Sequence, residues 1–125
     1  MQDNYDNHPL DLSYLTEMVG HNPEFMIEVF DTFIEQTPIY LAELEAALLV
    51  RNWLKVSNGA HKIKPTFSYI GRNDVKDFVN SIENNARNLL AIEQIPGDVQ
   101  RLKELLNGIY AQLEVAKAEM QSKIL

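Results

Sequence analysis

Apolar residues return along this chain at three- and four-residue intervals from Leu12 almost to its end. That spacing marks helices with one face turned to a core. Leu12, Leu15, Met18 and Val19 make a short first face, with Asp11 or Ser13 as its cap and Gly20 as its stop. Asn22-Pro23-Glu24 opens a second helix with a capping side chain, a proline at the first helical position and an acid in the first turn. Its apolar face runs through Met26, Val29, Phe30 and Phe33, then resumes as Leu41, Leu44 and Leu48 beyond Pro38. A proline inside a helix removes one hydrogen bond and crowds the preceding turn, so Pro38 is expected to kink or divide this segment. Asn52 can cap the next helix, which starts at Trp53 and is closed by Gly71. Val56, Ala60, Ile63, Phe67 and Ile70 form its buried stripe, and Pro65 predicts a kink. Asn73-Asp74 starts a further helix with Val75, Phe78, Val79, Ile82, Ala86 and Leu89 on one face, running out near Ala91. After Pro96-Gly97, Asp98 is expected to cap a last helix carrying Val99, Leu102, Leu106, Ile109, Leu113, Ala116 and Met120.

No stretch alternates as a half-buried strand does, and no internal repeat is visible. The expected class is all-α. Four long amphipathic segments with short connections predict an up-down-up-down antiparallel four-helix bundle, with the short N-terminal helix capping one end. Residues 1–10 read as a polar, loose lead-in and 11–125 as a single domain. His8 is expected to be a solvated tail residue and His21 a turn residue.

Composition narrows the function. With 125 residues the chain can bury a core unaided, and it has no cysteine for a disulfide, a thiolate metal site or a nucleophile. A formal charge of −7 argues against nucleic acid as partner. No apolar run approaches the roughly 18 residues of a membrane span, and the polar start lacks the plan of a signal peptide. The expectation is a cytoplasmic protein without membrane attachment. His8, His21 and His61 show no ligand spacing, so no metal site is expected.

One histidine stands apart from the core pattern. At about 100° per residue, His61 falls away from the buried stripe onto a line with Leu54, Asn58, Pro65 and Ser68. An outward imidazole has a reference pKa near 6.5 and is largely unprotonated at neutral pH, hence nucleophilic. Lys64 lies one helical turn on, and Lys62 flanks the histidine.

The run Ala60-His61-Lys62-Ile63-Lys64, with Ile70-Gly71 beyond it, resembles the histidine-containing phosphotransfer (HPt) domain family of multistep two-component signalling. The family most often has glycine four residues after the histidine, where this chain has Pro65. The resemblance implies a four-helix bundle in which His61 accepts a phosphoryl group from a receiver-domain aspartate and passes it to another receiver. It implies a carrier without kinase activity of its own, and no resident cofactor, Mg²⁺ being expected on the receiver. Lys64 and Lys62 would meet the phosphoryl oxygens, and Leu54, Asn58, Pro65 and Ser68 would meet the receiver. The implied partners are response-regulator receivers and a hybrid sensor histidine kinase, with the protein itself a monomer. The dimerisation helix of a sensor kinase is a poorer match, since an acid typically follows the histidine there and Lys62 follows it here. A helical interaction module, with His61 incidental, is the other alternative.

Overall fold

The computed structural model describes residues 8–124, and among these every regular element is helical. The elements are α1 (Ser13–Val19), α2 (Pro23–Leu49), α3 (Trp53–Ile63), α4 (Thr66–Tyr69), α5 (Asn73–Asn88) and α6 (Ile95–Ile124), with a 3-10 turn at Ile92–Gln94 before α6. The protein is all-α.

Local chemistry sets most of the helix ends. The Asn22 side chain accepts from the backbone N–H groups of Glu24 and Phe25, and Pro23 opens α2. Asn52 caps α3 by accepting from Lys55 N–H at 3.2 Å. The Asp11 carboxylate accepts from Ser13 N–H at 3.0 Å at the start of α1, and Gly20, at φ 69°, stops it.

α2 packs against α3 and α6, and α5 packs against α3 and α6, so the four long helices close a ring around one core. Cross-helix pairs give the directions. Glu43–Lys62 and Leu44–Gly59 run oppositely along α2 and α3, as do Asp31–Lys117, Thr37–Tyr110 and Glu45–Lys103 along α2 and α6. Phe30, Leu44, Val56, Ile63, Phe67, Ile70, Ile82, Leu102 and Leu106 are among the fully buried side chains. The buried Thr37 hydroxyl donates to the Phe33 carbonyl at 2.7 Å, which leaves Tyr110 to donate to it at 2.6 Å.

Three expectations need correction and one is narrowed. Pro38 does not divide α2, which runs unbroken from Pro23 to Leu49. Its ring lies on the exposed face, where the crowded carbonyl one turn earlier can tilt toward water, and packing on two helices holds the rest. Pro65 does more than kink the histidine helix: α3 ends at Ile63, and α4 resumes at Thr66. Pro65 has no N–H for the His61 carbonyl, and short-range bonds bridge the break, Thr66 Oγ1 to the Ile63 carbonyl at 2.6 Å and Ser68 N–H to the Pro65 carbonyl at 3.2 Å. α6 begins at Ile95, so Asp98 lies within its first turn instead of capping it. Leu89, expected on the core face, is 62% exposed at the left-handed end of α5.

The lead-in is not loose at its described end. His8 Nδ1 lies 2.9 Å from Asp74 Oδ2, and Gln112 donates to the His8 carbonyl at 2.9 Å. Asp74 also holds the buried Arg72 through two contacts of 3.1 Å. Residues 1–7 of that segment fall outside the described residues. Nearby, Asp11 N–H donates to the Ile70 carbonyl at 3.0 Å, pressing the chain onto Gly71, whose φ is +71°. A side chain at Gly71 would collide with the Asp11 backbone and Cβ. Gly71→Ala is therefore expected to destabilise the fold by about 2–3 kcal/mol, combining left-handed strain with overpacking. An unchanged melting temperature would contradict this reading of the contact.

Candidate functional site

The site is built across α3 and α5. Ser57, one turn before His61, is buried and donates to the backbone carbonyl of Glu83 at 3.1 Å, which sets the height of α5 against α3. Gly59 lets α2 come close behind, since a Cβ there would stand 3.2 Å from Leu44 Cβ. On this frame His61 and Lys64 project from α3, while Asn80, Glu83 and Arg87 share one face of α5 at three- and four-residue spacing.

Glu83 is the centre of the cluster. Its side chain is only 3% exposed, yet three groups reach it. His61 Nδ1 lies 2.8 Å from Oε2, Lys64 Nζ 2.7 Å from Oε1, and Arg87 Nη2 2.8 Å from Oε2. Lys64 also donates to Asn80 Oδ1 at 3.0 Å. Burial pushes the Glu83 carboxyl toward its neutral form. The hydrogen bonds and charges of Lys64 and His61 outweigh that push and hold the group below the usual value of about 4.5.

The ionised carboxylate fixes the histidine's tautomer. A carboxylate anion can only accept, so the 2.8 Å contact requires the proton on Nδ1. Nε2, across the ring, then carries the free lone pair. With the side chain 66% exposed, that nitrogen faces solvent, available to an incoming electrophile.

A group with a depressed folded-state pKa stabilises the fold above its unfolded value and loses that contribution as pH falls through the folded one. The stability gap between the parent and Glu83→Gln is expected to shrink as pH falls below about 4.5. Denaturant titrations at several pH values check this. A gap that persists undiminished to pH 3 would contradict it.

The remaining expected residues divide. Leu54, at 67% exposure, and Asn58 and Pro65 are exposed on the His61 side, whereas Ser68 is half-buried beyond the break. Lys64 is drawn into the cluster. Lys62 faces the other way, onto α2, where it pairs with Glu43 at 3.1 Å and lies over the Tyr40 ring at 5.3 Å from its centroid. Glu83, Asn80 and Arg87 were not singled out from the sequence. The available signal was an acid flanking the stripe of Val79, Ile82 and Ala86, followed one turn later by an arginine.

The family model described as the Hpt domain matches residues 28–116, which span α3, α5 and the whole cluster. The chain belongs to the Hpt domain family. No curated protein and no solved structure gave a match. Hpt domains serve histidine phosphotransfer in phosphorelay signalling, as carriers that interact with receiver domains and kinases. Among the described residues of this Hpt domain, no helix is long and apolar enough to cross a membrane, and no group of three or more His, Asp or Glu is placed to hold a metal ion.

Proposed function

We propose that this Hpt protein is the phosphoryl carrier of a multistep relay, and that His61 takes the group from the aspartyl phosphate of one receiver and gives it to the aspartate of another. The observation that carries the reading is the His61–Glu83 contact of 2.8 Å. A buried carboxylate that fixes the proton on Nδ1 leaves Nε2 as the nucleophile and orients the ring.

In the forward step the Nε2 lone pair forms the N–P bond, and the P–O bond to the receiver aspartate breaks, its electron pair leaving with the carboxylate. No proton need move. The ring becomes an imidazolium, and Glu83 at hydrogen-bonding distance meets the charge that develops. Phosphoryl transfer depends chiefly on alignment and charge stabilisation, and the protein supplies both through a rigid helix pair and Lys64. Lys62, turned onto α2 and paired with Glu43, stands apart from this cluster. The carrier needs no cofactor and no kinase activity of its own, Mg²⁺ coming with the receiver.

Leu54, Asn58 and Pro65 around the ring, with Ser68 beyond, form the surface offered to receivers and to a hybrid sensor kinase. The four long helices act as an up-down-up-down bundle with α1 at one end, and the protein works as a cytoplasmic monomer. The test is transfer from phosphorylated receivers to the parent and to His61→Gln. Label on the parent alone supports the assignment, and equal label on the variant sinks it.

A further inference from the structure

Chain order and space pair His61 with different cations. Lys62 is its neighbour in sequence, but its ammonium is committed to Glu43 and Tyr40 on α2. Arg87 lies far along the chain, yet its Nη2 donates to Glu83 Oε2 at 2.8 Å, the same oxygen that accepts from His61 Nδ1. Two groups on one oxygen are close neighbours. The Arg87 side chain is 54% exposed, so it can leave that oxygen for water or another anion, whereas Lys64, at 19%, is enclosed.

We propose that Arg87 is the second phosphoryl-binding residue of the site beside Lys64, and that it passes from Glu83 to the phosphoryl oxygens when His61 is phosphorylated. The inference rests on His61 being the phosphoacceptor. Charge balance carries it. Before transfer the ring is neutral, and one carboxylate faces two cations, leaving the cluster at Glu83 with a net positive charge. Transfer brings a phosphoryl group with two negative charges and turns the ring into a cation. The imidazolium Nδ1–H then satisfies Glu83 by itself. Lys64 and Arg87 together match the phosphoryl group, and no charge in the cluster is left over. A planar guanidinium fits two phosphoryl oxygens at once, which an ammonium does not.

The experiment compares the parent with Arg87→Gln, Arg87→Lys and Lys62→Gln, using phosphoramidate as a small donor that needs no docking surface and a phosphorylated receiver as the second donor. Arg87→Gln is expected to slow labelling of His61 by about tenfold with both donors, the scale of one lost charge-assisted hydrogen bond. Arg87→Lys recovers part of the rate, and Lys62→Gln loses clearly less than Arg87→Gln. In the parent, the Arg87 guanidinium NMR signals shift on phosphorylation, a response that a purely structural arginine would not give. Arg87→Gln labelled at the parental rate, Lys62→Gln losing as much or more, or unmoved guanidinium signals would each overturn the proposal. A parent that takes no label on His61 would overturn the phosphoacceptor assignment as well, which separates the two failures.

Discussion

Glu83→Ala is expected to lower the unfolding free energy by about 2–3 kcal/mol and to slow phosphoryl acceptance by His61 at least roughly tenfold. Removing one partner of a buried ionic cluster usually costs about 3–5 kcal/mol, because the remaining charge stays desolvated. The cost here is smaller because His61 and Arg87 reach solvent and can rehydrate, which leaves enclosed Lys64 as the main loser. The kinetic effect has a separate origin. Without Glu83 nothing holds the proton on Nδ1, so the ring samples both tautomers and other rotamers, and the charge that develops on it goes unmet. Glu83→Gln separates the two effects. Its amide oxygen can still accept from Nδ1, so orientation is partly kept while the negative charge is lost, and its rate should fall between those of the parent and Glu83→Ala. Denaturant unfolding and labelling rates on the three proteins check this. Parental rates in a folded Glu83→Ala would remove Glu83 from the mechanism.

The helices were legible because local rules and packing agree in this chain. Val56, Ala60, Ile63, Phe67 and Ile70 are fully buried as their spacing requires, and Asn22, Asn52 and Gly20 act where their chemistry places them. The misreadings fall where local preference meets a tertiary constraint. Pro38 and Pro65 carry the same local defect, but α2 has packing partners on both sides of its proline, while at Pro65 the helix is interrupted between Ile63 and Thr66 and Phe67 and Ile70 still reach the core. His8 looked like a tail residue because nothing local marks a residue that will meet Asp74 and Gln112 from distant helices.

At the site, the outward turn of His61 and its closeness to Lys64 followed from helical spacing. Lys62 shows the limit of that reading. One residue turns a side chain by about 100° on a helix, enough to carry its ammonium from the α5 side to α2. Glu83 and Arg87 could not be paired with His61 from one sequence, because their contacts depend on the register between α3 and α5. The Ser57 hydrogen bond to the Glu83 carbonyl fixes that register, and nothing in the local pattern announces it.

His61→Gln is expected to take no phosphoryl group from any receiver while keeping its fold. The side chain is mostly exposed, and a glutamine amide can still donate to Glu83, so the cluster survives without a nucleophilic ring nitrogen. Loss of label then reports chemistry and not unfolding. Label retained by the variant would direct attention to His8, whose Nδ1 meets Asp74 at 2.9 Å, or to the exposed His21.

The most direct measurement is a ¹⁵N–¹H NMR spectrum of the histidine rings after phosphorylation by a receiver. The account predicts a phosphorus–nitrogen bond at His61 Nε2 only, with the Nδ1 proton retained and hydrogen-bonded. A phosphoryl group on Nδ1, on another histidine, or on none would contradict it.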